Sequence, residues 1–315
     1  MVAGLRLSVE LSPTTLLRRE GHLLPALLPH GTRVFLPALP ADPPDAISQA
    51  LGLLRREGRG LVPVPHVAAT RVASLDALER RLDAWQGAWG GALREVLVVR
   101  GDAVGHSTSG EAATGAARGA FGCSLDLLQT NALQRGGFER VWMCGHPEGV
   151  AGVSAADARS ALREKLSWAD AEGVAAGVAT QFCFDPATTL GWVDALRDEG
   201  SDCDVSLGVA GPASSELLRR MADRCDVAPP PSPAADARPA ATDADADAWP
   251  WPYTRELARW QAARGAERGV QAFHLYPFGG LRPSLRWLRA ASRDGATAGL
   301  GLDRLEWPPQ AEGVL

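Results

Sequence analysis

The chain has 315 residues, of which 46% are hydrophobic and 22% are charged, as is typical of soluble globular proteins. Its formal net charge of −5 offers no basic surface for nucleic acid, and no apolar stretch reaches the ~20 residues of a membrane-spanning helix. These values argue against a nucleic-acid partner and a membrane span. We expect a cytoplasmic protein without a targeting segment, because the first predicted strand begins near Leu5.

Eight short apolar runs are predicted to be β-strands, and amphipathic helices follow most of them. The runs lie near 6–11, 33–39, 61–68, 95–101, 140–145, 177–184, 204–210 and 271–277. Residues 46–56 and 75–89 have the clearest helical apolar faces. Eightfold alternation favours a closed (β/α)8 TIM-type barrel, of the α/β class, over an open doubly wound sheet. We expect one domain over residues 1–315.

Several helix ends can be placed from single residues. Ser154 followed by Asp157 resembles a capping box and predicts that a helix begins there. Gly173 and Gly200 are predicted to end the helices that follow the fifth and sixth strands, since glycine adopts the left-handed conformation at helix C-termini.

Two segments interrupt the alternation of strands and helices. Residues 105–122 are rich in Gly, Ala, Ser and Thr and are predicted to form a flexible loop after the fourth strand. Residues 228–247 are almost entirely Pro, Ala and Asp and are predicted to be a disordered insertion. Order is expected to resume at residues 249–253, whose Trp-Pro pairs should pack the next helix start onto the barrel.

Polar residues follow the apolar runs where a parallel barrel builds its active site, at the C-terminal ends of the strands. The sequence lacks the motifs of several other classes of enzyme: a Rossmann GxGxxG after a strand, a P-loop, HExxH and GxSxG. His66, His146 and His274 could meet at the barrel mouth, but no second ligand at fixed spacing accompanies any of them, so no metal site is expected. The five cysteines form no CxxC pair and are expected to be reduced.

Glu10 is a carboxylate in an apolar first strand, between Val9 and Leu11. Burial should raise its pKa and keep it protonated near neutral pH, which suits a general acid. The alternative is an ion pair with an arginine at the barrel rim.

Three further positions have chemistry suited to a flat, anionic cofactor. Arg100-Gly101-Asp102 places a cation, a bare backbone and an anion at one strand end, and glycine would allow a planar ring to approach closely. Gln181 offers a donor and an acceptor to a pterin or flavin edge, unless it is a buried structural glutamine. Lys165, the only lysine, could bind phosphate or could extend along the edge of its helix face toward water.

Taken in chain order, four motifs resemble the methylenetetrahydrofolate reductase family. They are Val99-Arg-Gly-Asp102, Gly145-His-Pro-Glu148, Leu162-x-x-Lys165 and Thr180-Gln-Phe-Cys-Phe-Asp185. The resemblance runs from about Leu5 to Gly280, apart from the two interruptions, and is to the short bacterial type. It implies a barrel that holds FAD without a Rossmann fold. NADH or NADPH would reduce the flavin, which then reduces 5,10-methylenetetrahydrofolate to 5-methyltetrahydrofolate in one-carbon metabolism.

The resemblance also implies roles for individual residues. Glu10 matches the glutamate that protonates folate and opens its five-membered ring. Asp102 matches an aspartate at the flavin's pyrimidine end, where it contacts the cofactor and tunes catalysis. Gln181 matches the glutamine that binds the pterin. The other positions that match FAD contacts are His66, Arg100, Gly101, His146 and Lys165, with His146 standing where a tyrosine is common.

Three departures separate the chain from the best-known members, and the endings Gly208-Val-Ala-Gly-Pro212 and Tyr276-Pro-Phe-Gly-Gly280 resemble a divergent branch of that family. The first motif reads Val9-Glu-Leu-Ser-Pro13 instead of Phe-Glu-Phe-Phe-Pro-Pro, residues 37–40 replace a Thr-Tyr-Gly type ending, and residues 228–247 replace a helix that helps to hold folate. Two alternatives stay open: flavin-dependent oxidation of 5-methyltetrahydrofolate in a demethylation pathway, and a non-redox folate-binding protein. The nicotinamide and the oligomeric state stay open too, homo-oligomers being common among soluble enzymes.

Overall fold

A computed structural model of the chain describes residues 6–20, 24–58, 60–101, 119–150, 152–231, 249–300 and 302–308. Its eight strands form one closed parallel barrel in sequence order, which confirms the predicted (β/α)8 fold. The strands are β1 (Arg6–Glu10), β2 (Arg33–Leu36), β3 (Val62–Ala68), β4 (Glu95–Val99), β5 (Arg140–Gly145), β6 (Ala175–Thr180), β7 (Asp204–Ala210) and β8 (Ala272–Tyr276).

Helices surround the barrel and bury an apolar face against the outer side of the strands. They are α1 (Pro13–Thr15), α2 (Leu24–Leu27), α3 (Ala46–Glu57), α4 (Leu75–Trp89), α5 (Ser124–Leu128), α6 (Ala132–Arg135), α7 (Ala155–Glu172), α8 (Pro186–Asp198), α9 (Ser215–Cys225), α10 (Trp251–Arg268) and α11 (Leu281–Arg293). Short 3-10 or π turns cover Leu16–Glu20, Ala69–Arg71, Gly295–Leu300 and Leu302–Arg304. Within the described ranges, no helix is both long and apolar enough to cross a bilayer.

The predicted helix ends are confirmed by their capping geometry. Ser154 Oγ accepts the backbone N–H of Asp157 at 3.1 Å, and so satisfies a donor that the helix itself leaves free. Gly173 caps α7 in the left-handed conformation at φ +65°, and Gly200 follows α8 at φ +85°.

Two strands end three or more residues earlier than predicted. β2 stops at Leu36 instead of residue 39, because Pro37 has no backbone N–H with which to continue the ladder. β6 stops at Thr180 instead of residue 184, because the chain turns there toward Asp185, whose carboxylate caps α8 by accepting the N–H of Thr188 at 3.0 Å.

Most of the two predicted irregular segments, residues 105–118 and 232–247, lies outside the described residues. The chain after the second segment packs as expected. Trp249 Nε1 donates to the carbonyl of Ala210 at 2.9 Å, and Trp251 and Tyr253 are buried at the start of α10. This confirms that the Trp-Pro pairs fasten a helix onto the barrel.

Alternation along each strand divides the barrel interior into layers. At the N-terminal end, Arg33 donates to both carboxylate oxygens of Glu95 at 2.7 and 3.0 Å, and Trp142 Nε1 also donates to Glu95 at 2.7 Å. The middle layer is apolar and consists of Phe35, Val64, Leu97, Trp142 and Ala179. Two residues beyond Val64 and Ala179, His66 and Gln181 present polar side chains on the same inner face. The sequence pattern thus closes one end of the barrel and leaves a polar pocket at the other.

Candidate active site

A cavity of about 500 Å³ lies at the C-terminal ends of the strands. Its lining includes Glu10, His66, His146 and Gln181, four of the residues singled out from the sequence. They come from four different strands or the loops that follow them, as in other barrels of this class. The structure therefore brings together the acid, the two imidazoles and the amide that the sequence indicated.

Glu10 contacts a buried histidine across the seam where the barrel closes. Its Oε2 lies 3.6 Å from Nε2 of His274, which is 1% exposed, whereas the Glu10 side chain is 26% exposed. Parallel pairing of β1 with β8 sets Ser8 opposite His274, and Glu10 follows two residues later on the same inner face. The alternative from the sequence was an ion pair between Glu10 and an arginine. Among the described residues, the carboxylate contacts His274 instead.

The other ring nitrogen of His274 is held by a serine pair. Nδ1 lies 2.9 Å from Ser8 Oγ, which is 2.9 Å from Ser206 Oγ and 3.0 Å from the carbonyl of Phe273. When the Ser8 hydroxyl donates to that carbonyl, Nδ1 must carry the hydrogen that it shares with Ser8. Nε2 then faces the Glu10 carboxylate.

The pKa of Glu10 is lowered, contrary to the expectation from its apolar neighbours in sequence. Burial raises the pKa, but the polar contact with His274 and the electrostatic effects of His66 and His274 together lower it more. The prediction that Glu10 is a lone neutral acid was wrong. The sequence of the first strand indicates only that the carboxyl is buried, whereas its partner His274 lies near the other end of the chain.

His66 presents an unpartnered ring nitrogen to the cavity. It is 5% exposed, and its Nε2 has no hydrogen-bond partner among the described residues. Burial lowers its pKa to about 4, with the charge of Glu10 opposing that shift and the charge of His274 adding to it. His66 is therefore neutral at physiological pH and can give or take one hydrogen bond with a bound molecule.

Lys165 approaches the cavity from α7, beside His146 and Cys144. Burial lowers the pKa of Lys165, and burial together with the Lys165 charge lowers the pKa of His146 to about 4. Leu162, Leu166 and Ala169 of the same helix face are buried as predicted. Lys165 makes no hydrogen bond or ion pair with the part of the chain that the structure describes. A desolvated cation of this kind is suited to an anionic ligand.

Arg100 and Gly101 do not line the cavity. Arg100 is exposed, and its carbonyl accepts the N–H of Thr70 at 2.9 Å. Gly101 has φ +84°, and a Cβ there would stand 2.8 Å from Thr70 Oγ1 and 3.0 Å from Ala68 Cβ. The structure thus gives this glycine a packing reason, close approach to the end of β3. Asp102, the third member of that motif, lies outside the described residues.

Gln181 uses one half of its amide within the protein and keeps the other half free. Its Oε1 accepts the N–H of Phe182 at 3.1 Å, and its own backbone N–H donates to Gly145 at 2.8 Å. The side-chain NH2 makes no hydrogen bond with another described residue. The interaction with Phe182 orients the amide, so that the NH2 is left to donate to a ligand.

Sequence reasoning missed an aromatic wall on the side of the cavity next to Gln181. The ring centroids of Phe182 and Phe278 are 5.0 Å apart, and those of Phe182 and Tyr276 are 5.5 Å apart. Tyr276 and Phe278 stack at 5.8 Å. It also missed the pairing role of His274. The available signal was the two-residue spacing of His274 and Tyr276 in β8, which places both on the inner face.

The cysteines and histidines form no metal-binding arrangement in the described ranges, where no group of three His, Cys, Asp or Glu side chains is placed to hold an ion. Cys144 lies in β5 and lines the cavity, and burial raises its pKa to about 11. Cys183 lies after β6 and donates to Glu148 Oε1 at 2.7 Å. All five cysteines are free thiols.

Comparison with known proteins identifies one family. A family model described as "Methylenetetrahydrofolate reductase" matches residues 53–279, which is more than half of the chain. Among solved structures, the chain is similar to the GH18 chitinase ChiB of Flavobacterium johnsoniae, with 10% identity, TM-score 0.42 and coverage of 90% of this chain and 94% of that one. It is also similar to a beta-mannanase of Streptomyces thermolilacinus, with 15% identity, TM-score 0.41 and coverage of 74% and 80%. Both likenesses are too distant to carry a functional argument.

Proposed function

Because the chain belongs to the methylenetetrahydrofolate reductase family, we propose that it reduces 5,10-methylenetetrahydrofolate to 5-methyltetrahydrofolate on bound FAD, with NADH or NADPH as electron donor. The family match by itself supports an oxidoreductase that acts on folate. The observation that carries the finer proposal is the Glu10–His274 contact of 3.6 Å within the cavity that Gln181 also lines. In the proposal this pair delivers a proton and the amide hydrogen-bonds the substrate, and reductive opening of the folate ring needs both.

The residues around the cavity suit a flavin. His66 Nε2 is a buried polar atom without a partner among the described residues, and Lys165 is a largely desolvated cation without an anion in the same ranges. In the proposal His66 and His146 hydrogen-bond the cofactor as neutral imidazoles, and Lys165 neutralises its diphosphate. When bound, FAD supplies the hydride-transfer chemistry that no protein side chain can supply. The proposed contacts of Arg100, Gly101 and Asp102 rest on the sequence motif alone.

The roles proposed for the substrate-binding residues follow from hydrogen-bonding capacity. Gln181 donates from its free NH2 to the amide-like edge of the pterin and so orients the ring. Glu10 supplies the proton that the ring nitrogen of folate must gain when the five-membered ring opens. His274 keeps that proton available in the buried pair, and Ser8 holds the imidazole in position by its contact with Nδ1.

The test is the visible absorption spectrum of the purified protein under anaerobic conditions. Flavin bands that bleach with NADH or NADPH and return with methylenetetrahydrofolate are expected. Bleaching by 5-methyltetrahydrofolate without bleaching by either nicotinamide would favour oxidation of methylfolate instead. A colourless protein that takes up no added FAD would contradict the proposal.

A further inference from the structure

Two of the sequence motifs meet beside the cavity, at residues that the proposed function does not use. Glu148 ends the Gly145-His-Pro-Glu148 motif after β5, and Cys183 lies in the Thr180-Gln-Phe-Cys-Phe-Asp185 motif after β6. Cys183 Sγ donates to Glu148 Oε1 at 2.7 Å, and the Cys183 side chain is fully buried. Neither Glu148 nor Cys183 is among the described residues that line the cavity.

The second carboxylate oxygen of Glu148 holds another part of the chain. Its Oε2 accepts the backbone N–H of Ala228 at 2.6 Å. Ala228 directly follows Val227, which is buried in an apolar cluster with Phe182 and Phe184. Glu148 therefore joins three segments: the loop after β5, the loop after β6 and the chain that leaves α9.

The two contacts of Glu148 require two acceptor oxygens. Burial and the hydrogen bond to Glu148 raise the pKa of Cys183 to about 12, so the sulfur keeps its hydrogen near neutral pH and is the donor. The backbone N–H of Ala228 is a donor as well. Glutamine in place of Glu148 would offer one acceptor oxygen and one NH2 donor, so it could keep one contact but not both.

The two joined loops carry polar groups that bind different ligands in the proposed function. His146 lies two residues before Glu148 and contacts FAD in that proposal, and Gln181 lies two residues before Cys183 and contacts the pterin. The backbone N–H of Gln181 donates to the carbonyl of Gly145 at 2.8 Å, where β5 and β6 end. The contact between Glu148 and Cys183 extends this link past the ends of the strands.

We propose that Glu148 is a positioning residue that fixes the loop of His146 against the loop of Gln181, an inference that rests on the proposed function. With its bonds made, a ligand that needs both loops finds them already in place. When a bond is lost, binding must order the loops, and the entropy cost lowers affinity. Glu148 thus acts through His146 and Gln181 and not by touching a ligand.

The experiment uses three variants that change the contact in graded steps. Cys183→Ala removes the donor, Cys183→Ser keeps a hydroxyl donor, and Glu148→Gln keeps one of the two bonds. Glu199→Gln is the matched control, because Glu199 accepts from Arg159 at 2.9 Å and is not among the residues that line the cavity. Fluorescence titration gives the dissociation constant of FAD. Isothermal titration of the FAD-loaded, full-length protein gives that of 5-methyltetrahydrofolate.

Cys183→Ala and Glu148→Gln are expected to weaken folate binding about fivefold, as for loss of one hydrogen bond. Cys183→Ser should restore most of the affinity, and Glu199→Gln should leave it unchanged. FAD affinity should change less than folate affinity, because His66 and Lys165 hold the cofactor independently of these loops in the proposed function. Unchanged folate affinity in Cys183→Ala and Glu148→Gln, or equal losses in the alanine and serine variants, would overturn the assignment.

A second measurement needs no ligand. Alkylation of Cys183 by iodoacetamide, followed by peptide mass spectrometry, should be faster in Glu148→Gln, because Glu148 raises the pKa of the buried thiol. An unchanged rate would show that the two side chains do not interact and would overturn the assignment whatever the ligands do. If the rate rises but the wild type binds neither FAD nor folate, the contact is real, and the proposed function fails together with the ligand-positioning role.

Discussion

Glu10 and His274 come from opposite ends of the chain and meet where β1 and β8 close the barrel, with 3.6 Å between Oε2 and Nε2. The contact reverses the effect of burial on the carboxyl, whose pKa is lowered when desolvation alone would raise it. The ionisation of Glu10 therefore depends on a side chain from the last strand of the barrel.

Replacing Glu10 by glutamine should remove the proposed proton donor and preserve the shape of the side chain. We expect reoxidation of the flavin by methylenetetrahydrofolate to slow by roughly a hundredfold or more, as for loss of a general acid. Reduction of the flavin by nicotinamide should be unchanged, which serves as the internal control. Rapid-mixing absorbance measurements separate the two steps, and equal folate rates in both proteins would disprove the role of Glu10.

His274→Gln should raise the pKa of Glu10. The substitution removes the contact that lowers the pKa of Glu10 and leaves burial, which raises it, opposed only by the electrostatic effect of His66. Carbon-13 NMR of the Glu10 carboxyl in labelled protein measures this directly, without any cofactor or turnover. A pKa at or below the wild-type value would show that His274 is not the group that lowers it.

Lys165→Met should weaken FAD binding by about tenfold, because a charge-assisted contact with phosphate contributes roughly 1.5 kcal/mol or more. Arg163→Met is the matched control: it removes a cation two residues away on α7 whose side chain is 52% exposed. Flavin fluorescence titration gives both dissociation constants. Equal losses of FAD affinity in the two variants would indicate a general electrostatic effect. Unchanged FAD affinity in Lys165→Met would show that Lys165 does not contact the cofactor.

Stability should fall as the pH is lowered through the range from about 6.5 to about 4. An unburied histidine has a pKa of 6.5, whereas the folded protein lowers the pKa of His66 to about 4, so the unfolded chain binds the proton first and acid favours unfolding. The stability contribution of neutral His66 is complete above pH 6.5 and is lost toward pH 4. Urea unfolding at pH 7 and pH 5 measures the free energy of unfolding that is lost between these two pH values. We expect this loss to be smaller in His66→Gln than in the wild type, by roughly 1–2 kcal/mol. An identical loss in both proteins would contradict the folded pKa of His66.

The N-terminal end of the barrel should be sensitive to neutralisation of Glu95. Glu95→Gln leaves Arg33, with a side chain 10% exposed, without its bidentate carboxylate partner, and it weakens the bond from Trp142. We expect the free energy of unfolding to drop by about 3 kcal/mol, as for other broken buried pairs. Urea unfolding measures the change. Glu139→Gln, which breaks an exposed pair with Arg94, should change it by less than about 1 kcal/mol.

Local sequence patterns were sufficient for the architecture. Short apolar runs, amphipathic helices and capping residues such as Ser154 and Gly173 placed all eight strands and the helices α3, α4 and α7, because these signals depend on neighbours a few residues away. Where the strand predictions ran too far, at Pro37 and before Asp185, the local chemistry of those residues ended the ladder. The sequence likewise pointed to four residues that line the cavity: Glu10, His66, His146 and Gln181.

The amino-acid sequence by itself determined the barrel fold, the location of the cavity at the C-terminal ends of the strands, and the residue types found there. Only the tertiary structure decided which groups touch. The contact of His274 with Ser8 joins residues 266 positions apart, and no local pattern encodes that pairing. The sign of the Glu10 pKa shift and the aromatic wall both depend on such contacts. The sequence of a strand indicates which side chains point into the barrel. Hydrogen bonds and charge interactions act over a few ångströms, so they depend on which strands become neighbours when the barrel closes.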